Sequence, residues 1–216
     1  GEISGLPGPN GAGKTTAISM LSTLIRPTTG RVALAGIDAI KNPKGARKHL
    51  GLVPQDIALY PGLTAAQNLR FFGRLYGLAN PRLEERIVEC LAFVGLEAKA
   101  GHRVGTFSGG MKRRVNLAAG ILHQPLILFL DEPTVGIDAQ SRQLIMENLL
   151  FLRENGTTMM YTPHYMEEAE RLCSVVAVMD HGRKLAEGTP AALKRTHGCT
   201  DLQELFFALT GKNLRD

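Results

Sequence analysis

The sequence has little of what secreted or membrane-spanning proteins need. Its three cysteines, Cys90, Cys173 and Cys199, fit no metal-binding or redox spacing, so we expect reduced thiols in a cytosolic compartment. No apolar run approaches the roughly 20 residues of a membrane-spanning helix, and the first residues show no signal-peptide pattern. If a membrane is involved in the function, another chain must supply the membrane-spanning part.

A strong excess of charge is also absent. The chain has 25 basic and 20 acidic residues, a formal net charge of +5, and the charges are evenly spread. Nucleic-acid-binding proteins usually carry a basic stripe, so we expect no nucleic-acid partner. The basic cluster at residues 41–48 is interpreted as a solvated helix face. The chain contains no internal repeat and no low-complexity segment, and its 216 residues can bury one core with a smaller lobe beside it.

Residues 8–15, Gly-Pro-Asn-Gly-Ala-Gly-Lys-Thr, fit the G-x-x-x-x-G-K-[ST] phosphate loop. They lie between a predicted strand (residues 1–6) and a predicted helix (residues 14–24). Glycine N–H groups and the helix N-terminus can cradle phosphates, Lys14 supplies a charge between the β- and γ-phosphates, and the Thr15 hydroxyl suits Mg²⁺. The alternative is a chance glycine turn. The residues assigned to nucleotide binding here are Gly8, Pro9, Asn10, Gly11, Ala12, Gly13, Lys14, Thr15 and Thr16.

Asp131 and Glu132 follow the most apolar predicted strand, residues 126–130. Carboxylates at the carboxyl edge of a parallel sheet lie where ligands bind in open α/β folds. One carboxylate beside a metal can hold its water shell while its neighbour polarises an attacking water, as phosphoryl transfer to water requires. The alternative is an ordinary acidic strand end before the turn at Pro133.

A third segment, Phe-Ser-Gly-Gly-Met at residues 107–111, opens a predicted helix over residues 108–123. Ser-Gly-Gly alone is a common loop or N-cap. Here it precedes Asp131 by 23 residues, and the three segments in this order resemble the nucleotide-binding subunits of ABC transporters. The segment at residues 201–206 resembles the C-terminal tail of the bacterial daunorubicin-resistance-type export subgroup.

The resemblance implies roles for these residues. Asp131 is the Mg²⁺ carboxylate and Glu132 the general base. Ser108, Gly109 and Gly110 bind the γ-phosphate of the ATP held by the opposite subunit. Phe107 stands where the family has leucine, and because the position is apolar packing we expect little effect.

Three further residues resemble family positions. Gln55, after a predicted strand at residues 51–53, resembles the glutamine that reaches Mg²⁺ and the attacking water; otherwise it is a polar loop residue. His164 resembles the histidine that contacts the γ-phosphate, although Pro163 stands where Ser or Thr is usual; the alternative is a structural histidine. Asp138 resembles the aspartate that touches the partner's phosphate loop, and it can also cap a helix. The predicted catalytic set is Glu132, His164, Gln55 and Lys14, and the predicted metal ligands are Thr15, Gln55 and Asp131.

Strands that alternate with helices predict an α/β fold with a mostly parallel sheet. The resemblance implies a P-loop NTPase (RecA-like) core at residues 1–56 and 105–190, an inserted helical subdomain at residues 57–104 and a C-terminal helical tail at residues 191–216. Family members carry about two strands before the phosphate loop, with an aromatic residue that stacks on adenine. Here Gly8 is only seven residues from Gly1, so either the sequence is truncated or the gene product lacks this adenine platform.

The resemblance implies a Mg²⁺-dependent ATPase that dimerises head-to-tail, with itself or a homologous subunit. At the cytoplasmic face of the membrane it would power export of a drug, lipid or polysaccharide through a separate permease. One alternative is a soluble ABC-type ATPase acting on ribosomes or DNA, but the chain has neither two cassettes nor a coiled-coil insert. Another is an ATP-sensing partner subunit, against which intact Lys14, Asp131 and Glu132 argue. A GTPase is excluded by the lack of an Asn-Lys-x-Asp motif.

Overall fold

A mostly parallel sheet forms the centre of the molecule in a computed structural model that describes residues 1–211. Residues 212–216, the end of the predicted C-terminal tail, lie outside the described residues. The strands are β1 (Ile3–Gly5), β2 (Ala33–Leu34), β3 (Ile37–Asp38), β4 (Leu50–Val53), β5 (Ile127–Asp131), β6 (Thr158–Thr162), β7 (Val175–Asp180) and β8 (Arg183–Gly188). The main sheet has the order β4-β5-β6-β1-β7-β8, in which only the β7–β8 pair is antiparallel, and β2 and β3 form a separate small hairpin.

Helices connect the strands and begin at recognisable caps. They are α1 (Lys14–Leu21), α2 (Pro43–Arg47), α3 (Ala65–Leu75), α4 (Arg82–Phe93), α5 (Gly109–Ile121), α6 (Ala139–Glu154), α7 (Met166–Leu172), α8 (Pro190–His197) and α9 (Leu202–Thr210). Side-chain oxygens of Thr64, Ser108 and Asp138 accept backbone hydrogen bonds at the N-termini of α3, α5 and α6. Each of these bonds satisfies an N–H group that has no partner within the helix.

The core surrounds strand β5. Leu128 and Leu130 are fully buried, as are Ile145 and Leu149 on α6 and Tyr161 on β6. Parallel strands covered on both faces are continuously apolar, which explains why residues 127–130 show no polar alternation. The carboxyl end of this buried strand carries the two acidic residues singled out in the sequence.

The predicted α/β fold with a mostly parallel sheet is confirmed, with local corrections. The first helix ends at Leu21 rather than at residue 24, because Thr23 adopts a left-handed conformation with φ 64°. The sequence pattern at residues 31–34 also predicts a short strand, of which the structure contains only Ala33–Leu34. Strands β3 and β8 were not predicted, whereas helix α2 lies within residues 41–48, which were interpreted as a solvated helix face.

The division of the chain into core, helical insert and tail stays a prediction, although α3 and α4 do lie between β4 and α5 along the chain. None of the helices within residues 1–211 is both long and apolar enough to cross a bilayer.

Candidate functional site

The phosphate loop joins β1 to α1 in the conformation that its glycines permit. Gly11 and Gly13 have φ values of 77° and 97°, in the left-handed region that favours glycine. At Gly8 a Cβ atom would lie 2.4 Å from the carbonyl oxygen of Met179, so a side chain is excluded there. The loop wraps around Lys14, whose Nζ donates to the carbonyl of Gly8 at 2.8 Å.

The loop opens onto a cavity of about 300 Å³. The first residues of α1, Lys14, Thr15 and Thr16, line this cavity. The N–H groups in the first turn of a helix have no partner within the helix, which makes this a natural anion site. The cavity is lined by Pro9, Asn10, Gly11, Ala12, Gly13, Lys14, Thr15, Thr16, Gln55 and Glu132. A larger cavity of about 430 Å³ between α4 and the end of α6 contains none of these residues, so the assignment rests on the side chains present and not on cavity size.

A threonine on the neighbouring strand fixes the carboxylate of Asp131 and the backbone of Glu132 at the end of β5. Thr162 is fully buried and pairs in register with Asp131. Its Oγ1 accepts from the Glu132 backbone N–H at 2.9 Å and donates to Asp131 Oδ1 at 2.8 Å. Glu132 itself has φ 45°, which is uncommon outside glycine. Sequence reasoning missed Thr162, although its position at the end of the adjacent strand is the signal that could have indicated it.

Three side chains from separate elements converge on Glu132. Lys14 Nζ lies 3.4 Å from Oε1, and Gln55 Nε2 donates to Oε2 at 3.3 Å. His164 Nδ1 lies 3.5 Å from the same Oε2. The structure therefore brings together all four residues of the predicted catalytic set, from the four elements β4, β5, β6 and α1 or the loops that follow them.

The proposed metal ligands offer oxygen atoms only. Within residues 1–211 no group of three His, Cys, Asp or Glu side chains is arranged to hold a metal ion. Mg²⁺ does not need such a cage, because it is usually bound by one or two carboxylates together with waters and substrate phosphates. A hydroxyl from Thr15, a carboxylate from Asp131 and the amide oxygen of Gln55 fit this requirement.

Ser108 and Asp138 cap two adjacent helices. Ser108 Oγ accepts from Met111 N at 3.2 Å, and Asp138 Oδ1 accepts from Ser141 N at 2.8 Å. This hydrogen bond lowers the pKa of Asp138. A Cβ at Gly110 would lie 2.1 Å from Ser141 Oγ, so only glycine allows the helix ends to meet. Gly109 is the first residue of α5.

The residues at the N-termini of α5 and α6 are not bonded to the residues around Glu132. Among the hydrogen bonds and ion pairs described for residues 1–211, none links Ser108, Gly110 or Asp138 to Lys14 or Glu132. The predicted site residues therefore fall into two sets, one around Glu132 and one at the N-termini of α5 and α6.

A buried carboxylate connects the loop after Glu132 to the helix after His164. Glu168 on α7 is 2 % exposed, and its Oε2 accepts from Thr134 Oγ1 at 3.0 Å and from Tyr161 Oη at 2.6 Å. Burial, followed by the charge of Glu168, raises the pKa of Tyr161 well above its ordinary value. No short motif in the sequence indicates this cluster.

The comparisons with known proteins agree with this arrangement. The family model described as ABC transporter matches residues 1–135, and the chain belongs to this family. The chain is 48% identical over 204 residues to the linearmycin resistance ATP-binding protein LnrL of Bacillus subtilis and covers 66% of it. It is 47% identical over 200 residues to the Nod factor export ATP-binding protein I of a Rhizobium strain, covering 66%. It is 41% identical over 216 residues to the doxorubicin resistance ATP-binding protein DrrA of Mycobacterium tuberculosis, covering 64%.

Solved structures resemble the fold over most of its length. An ATP-binding subunit of an ABC transporter superposes with a TM-score of 0.87 at 30% identity, over 97% of this chain and 88% of the other. A dimeric ATP-binding cassette in a post-hydrolysis state, bound to ADP and Pi, has a TM-score of 0.78 at 26% identity, over 87% and 85%. The predicted resemblance to ABC nucleotide-binding subunits is thus confirmed.

Proposed function

We propose that this protein binds ATP and hydrolyses it in a Mg²⁺-dependent reaction. The observation that carries the proposal is the convergence of Lys14, Gln55 and His164 on the buried carboxylate of Glu132. The relatives are named as ATP-binding proteins, but the chain spans only 64–66% of their length. Its activity is therefore inferred from its own residues.

The geometry supports a division of labour among these residues. The phosphate-loop amides and Lys14 bind the phosphates. Thr15, Asp131 and Gln55 would hold Mg²⁺, which would supply positive charge to neutralise the phosphates. Glu132 accepts a proton from the attacking water, a step that typically accelerates such reactions by about 10²–10⁴-fold. Gln55 and His164, both within 3.5 Å of Glu132 Oε2, orient that water and the γ-phosphate.

The second set of residues supports a dimer with composite sites. Ser108, Gly109, Gly110 and Asp138 have no described bond to the Glu132 group, yet Ser108 opens a helix whose N-terminus suits a phosphate. We infer that they contact the ATP of a partner subunit, which is a second copy or a homologous ATPase. The post-hydrolysis cassette of similar fold is itself dimeric.

A membrane partner is supported by an exposed aromatic pair within residues 57–104. Tyr60 and Phe71 are 49% and 38% exposed and contact edge-to-face with ring centroids 5.0 Å apart. Exposed aromatic pairs are favoured at interfaces. We propose that the helical insert docks here on a separate permease at the cytoplasmic face of the membrane, for export of a drug, lipid or polysaccharide. The related proteins named for resistance or export favour export over a soluble ribosome- or DNA-acting ATPase.

Mixing two inactive variants tests the composite site. Lys14→Ala removes phosphate binding in its own subunit, and Ser108→Arg blocks the contribution to the partner's site. In the mixed dimer one site retains both halves, so we expect part of the wild-type ATPase activity to return on mixing. Each variant alone should be inactive. If no activity returns although mixed dimers are shown to form, the sites are not shared between subunits.

A further inference from the structure

Two side chains of helix α5 bind the backbone of the loop that follows β4 and contains Gln55. Arg113 Nη1 donates to the carbonyl of Gln55, and Asn116 Nδ2 donates to the carbonyl of Pro54 at 3.2 Å. Residues three apart lie on the same face of a helix. Two consecutive peptide carbonyls of the loop are therefore fastened to one helix face.

Arg113 is an unusual residue for this task because it is 9 % exposed. Burial lowers the pKa of the guanidinium, whereas the negative charges of Asp56 and Glu132 act in the opposite direction. A buried cation is tolerated only where carboxylates or hydrogen-bond acceptors compensate it. Arg113 has both: its hydrogen-bond acceptor is the Gln55 carbonyl, and the carboxylates are those of Asp56 and Glu132. All of them belong to the loop after β4 or to the candidate site.

The loop is the part of the site that most needs such support. The Gln55 side chain must reach across from β4 to Glu132, and its Nε2 donates to Oε2 at 3.3 Å. A catalytic side chain on a loop keeps its geometry only if the backbone beneath it is fixed. We propose that Arg113, assisted by Asn116, is a positioning residue that holds Gln55 against Glu132 within its own subunit. The inference deepens the proposed function and rests on it.

Arg114 provides a matched control on the same helix. Its Nη1 donates to the carbonyls of Val94 at 2.9 Å and Gly95 at 3.3 Å. Like Arg113, it connects α5 to backbone carbonyls of another segment, but that segment follows α4 and contains no predicted site residue. Loss of either arginine should affect packing, whereas only Arg113 should affect Gln55.

The first experiment compares Arg113→Met with Arg114→Met in the full chain. We expect Arg113→Met to lower kcat by about 10- to 100-fold, the cost of a small misplacement of a catalytic group. KM should stay within about 3-fold because the phosphate loop, which makes the main contacts to the nucleotide, is unchanged. Arg114→Met should keep kcat near that of the wild type at a similar loss of Tm. Equal effects of the two variants on kcat would overturn the proposal, as would a change confined to Tm or KM.

The second experiment places Arg113→Met in one subunit of the mixed dimer described above. In the Ser108→Arg subunit, Gln55 serves the intact site, so activity should fall by about 10-fold or more. In the Lys14→Ala subunit, Gln55 serves the inactive site, so activity should stay near that of the parent mixture. A loss in the second placement, in both or in neither would show that Arg113 does not act through its own Gln55.

The parent mixture separates the two possible failures. If it shows no activity, the composite site is wrong and the single-variant comparison of kcat still tests Arg113. If it is active and the placement of Arg113→Met makes no difference, the proposed function stands and the positioning role is wrong.

Discussion

At the scale of single residues, the position of Glu132 depends on a hydroxyl from the neighbouring strand. Glu132 follows the last residue of β5 and has φ 45°. Its backbone N–H donates to a side chain of the neighbouring strand rather than to a strand carbonyl. Thr162 Oγ1 accepts this N–H and at the same time donates to Asp131. One buried side chain therefore orients the Asp131 carboxylate and fixes the backbone that carries Glu132.

Replacement of this hydroxyl gives the first prediction. Thr162→Val keeps the shape but leaves a buried N–H and a buried carboxylate oxygen without their partner, which costs about 1–3 kcal/mol of unfolding free energy. We expect this loss in urea denaturation, together with reduced ATP turnover. Thr162→Ser, which retains the hydroxyl, should preserve turnover. Wild-type stability and turnover of Thr162→Val would contradict the role of the hydroxyl.

The three cysteines differ in their surroundings. Burial raises the pKa of Cys90 to about 11 and that of Cys173 to about 12, where the charge of Glu168 contributes as well. Cys199 is half-buried, and desolvation, followed by the charges of Glu204 and Asp201, raises its pKa. Because only the thiolate reacts with alkylating agents, reactivity near neutral pH should follow exposure and pKa together.

We therefore predict that iodoacetamide at pH 8 modifies Cys199 well before Cys90 or Cys173 in the folded protein. Peptide mass spectrometry at increasing times measures the order, and denatured protein, in which all three should react, is the control. Modification of Cys173 at the rate of Cys199 would contradict the burial of that thiol.

At the scale of elements, helix α3 shows how a local signal defines a boundary. Thr64 Oγ1 accepts from Gln67 N at 3.1 Å, and Gln67 Oε1 accepts from Thr64 N at 2.9 Å. This reciprocal pair is a capping box. It fixes the start of α3, the helix that carries Phe71 of the exposed aromatic pair.

Loss of this cap should be measurable. Thr64→Ala is expected to lower the unfolding free energy by about 1 kcal/mol, the usual contribution of an N-cap hydroxyl, and Thr64→Ser should restore most of it. Urea denaturation of both variants measures the difference. An alanine variant as stable as the wild type would show that the cap does not contribute.

Elements that are defined by residues close together in the sequence could be predicted from it. The N-caps at Thr64, Ser108 and Asp138 are set by residues three positions apart. The local sequence pattern likewise predicts a helix near residues 139–154, where α6 lies. Strand β8 was missed because its exposed Arg183, Lys184 and Leu185 lack the alternation of a half-buried strand. The hairpin of β2 and β3 depends on left-handed conformations at Ala35 and Gly36. Because alanine rarely adopts this conformation, its presence at position 35 does not indicate a turn.

At the scale of the whole molecule, the order of the strands assembles the candidate site. β1, β4, β5 and β6 are parallel members of one sheet, so the loops at their carboxyl ends meet at a single edge. Lys14, Gln55, Glu132 and His164 come from these loops or from the helix that follows β1. Motifs predicted all four, because each motif is contiguous in the sequence. Arg113, Thr162 and Glu168 act across the sheet or between helices, and their contacts exist only once the chain has folded.

The central claim is that Glu132 is the base of an ATP-hydrolysing site, and Glu132→Gln tests it most directly. The amide keeps the size of the side chain but cannot accept a proton from water. We predict that the variant binds Mg-ATP and that its turnover falls by about 10²–10⁴-fold. It should sediment as an ATP-bound dimer, because the dimer that forms around ATP can no longer hydrolyse it. Glu154→Gln, at an exposed position at the end of α6, should behave as the wild type. Near-normal turnover of Glu132→Gln would contradict the account.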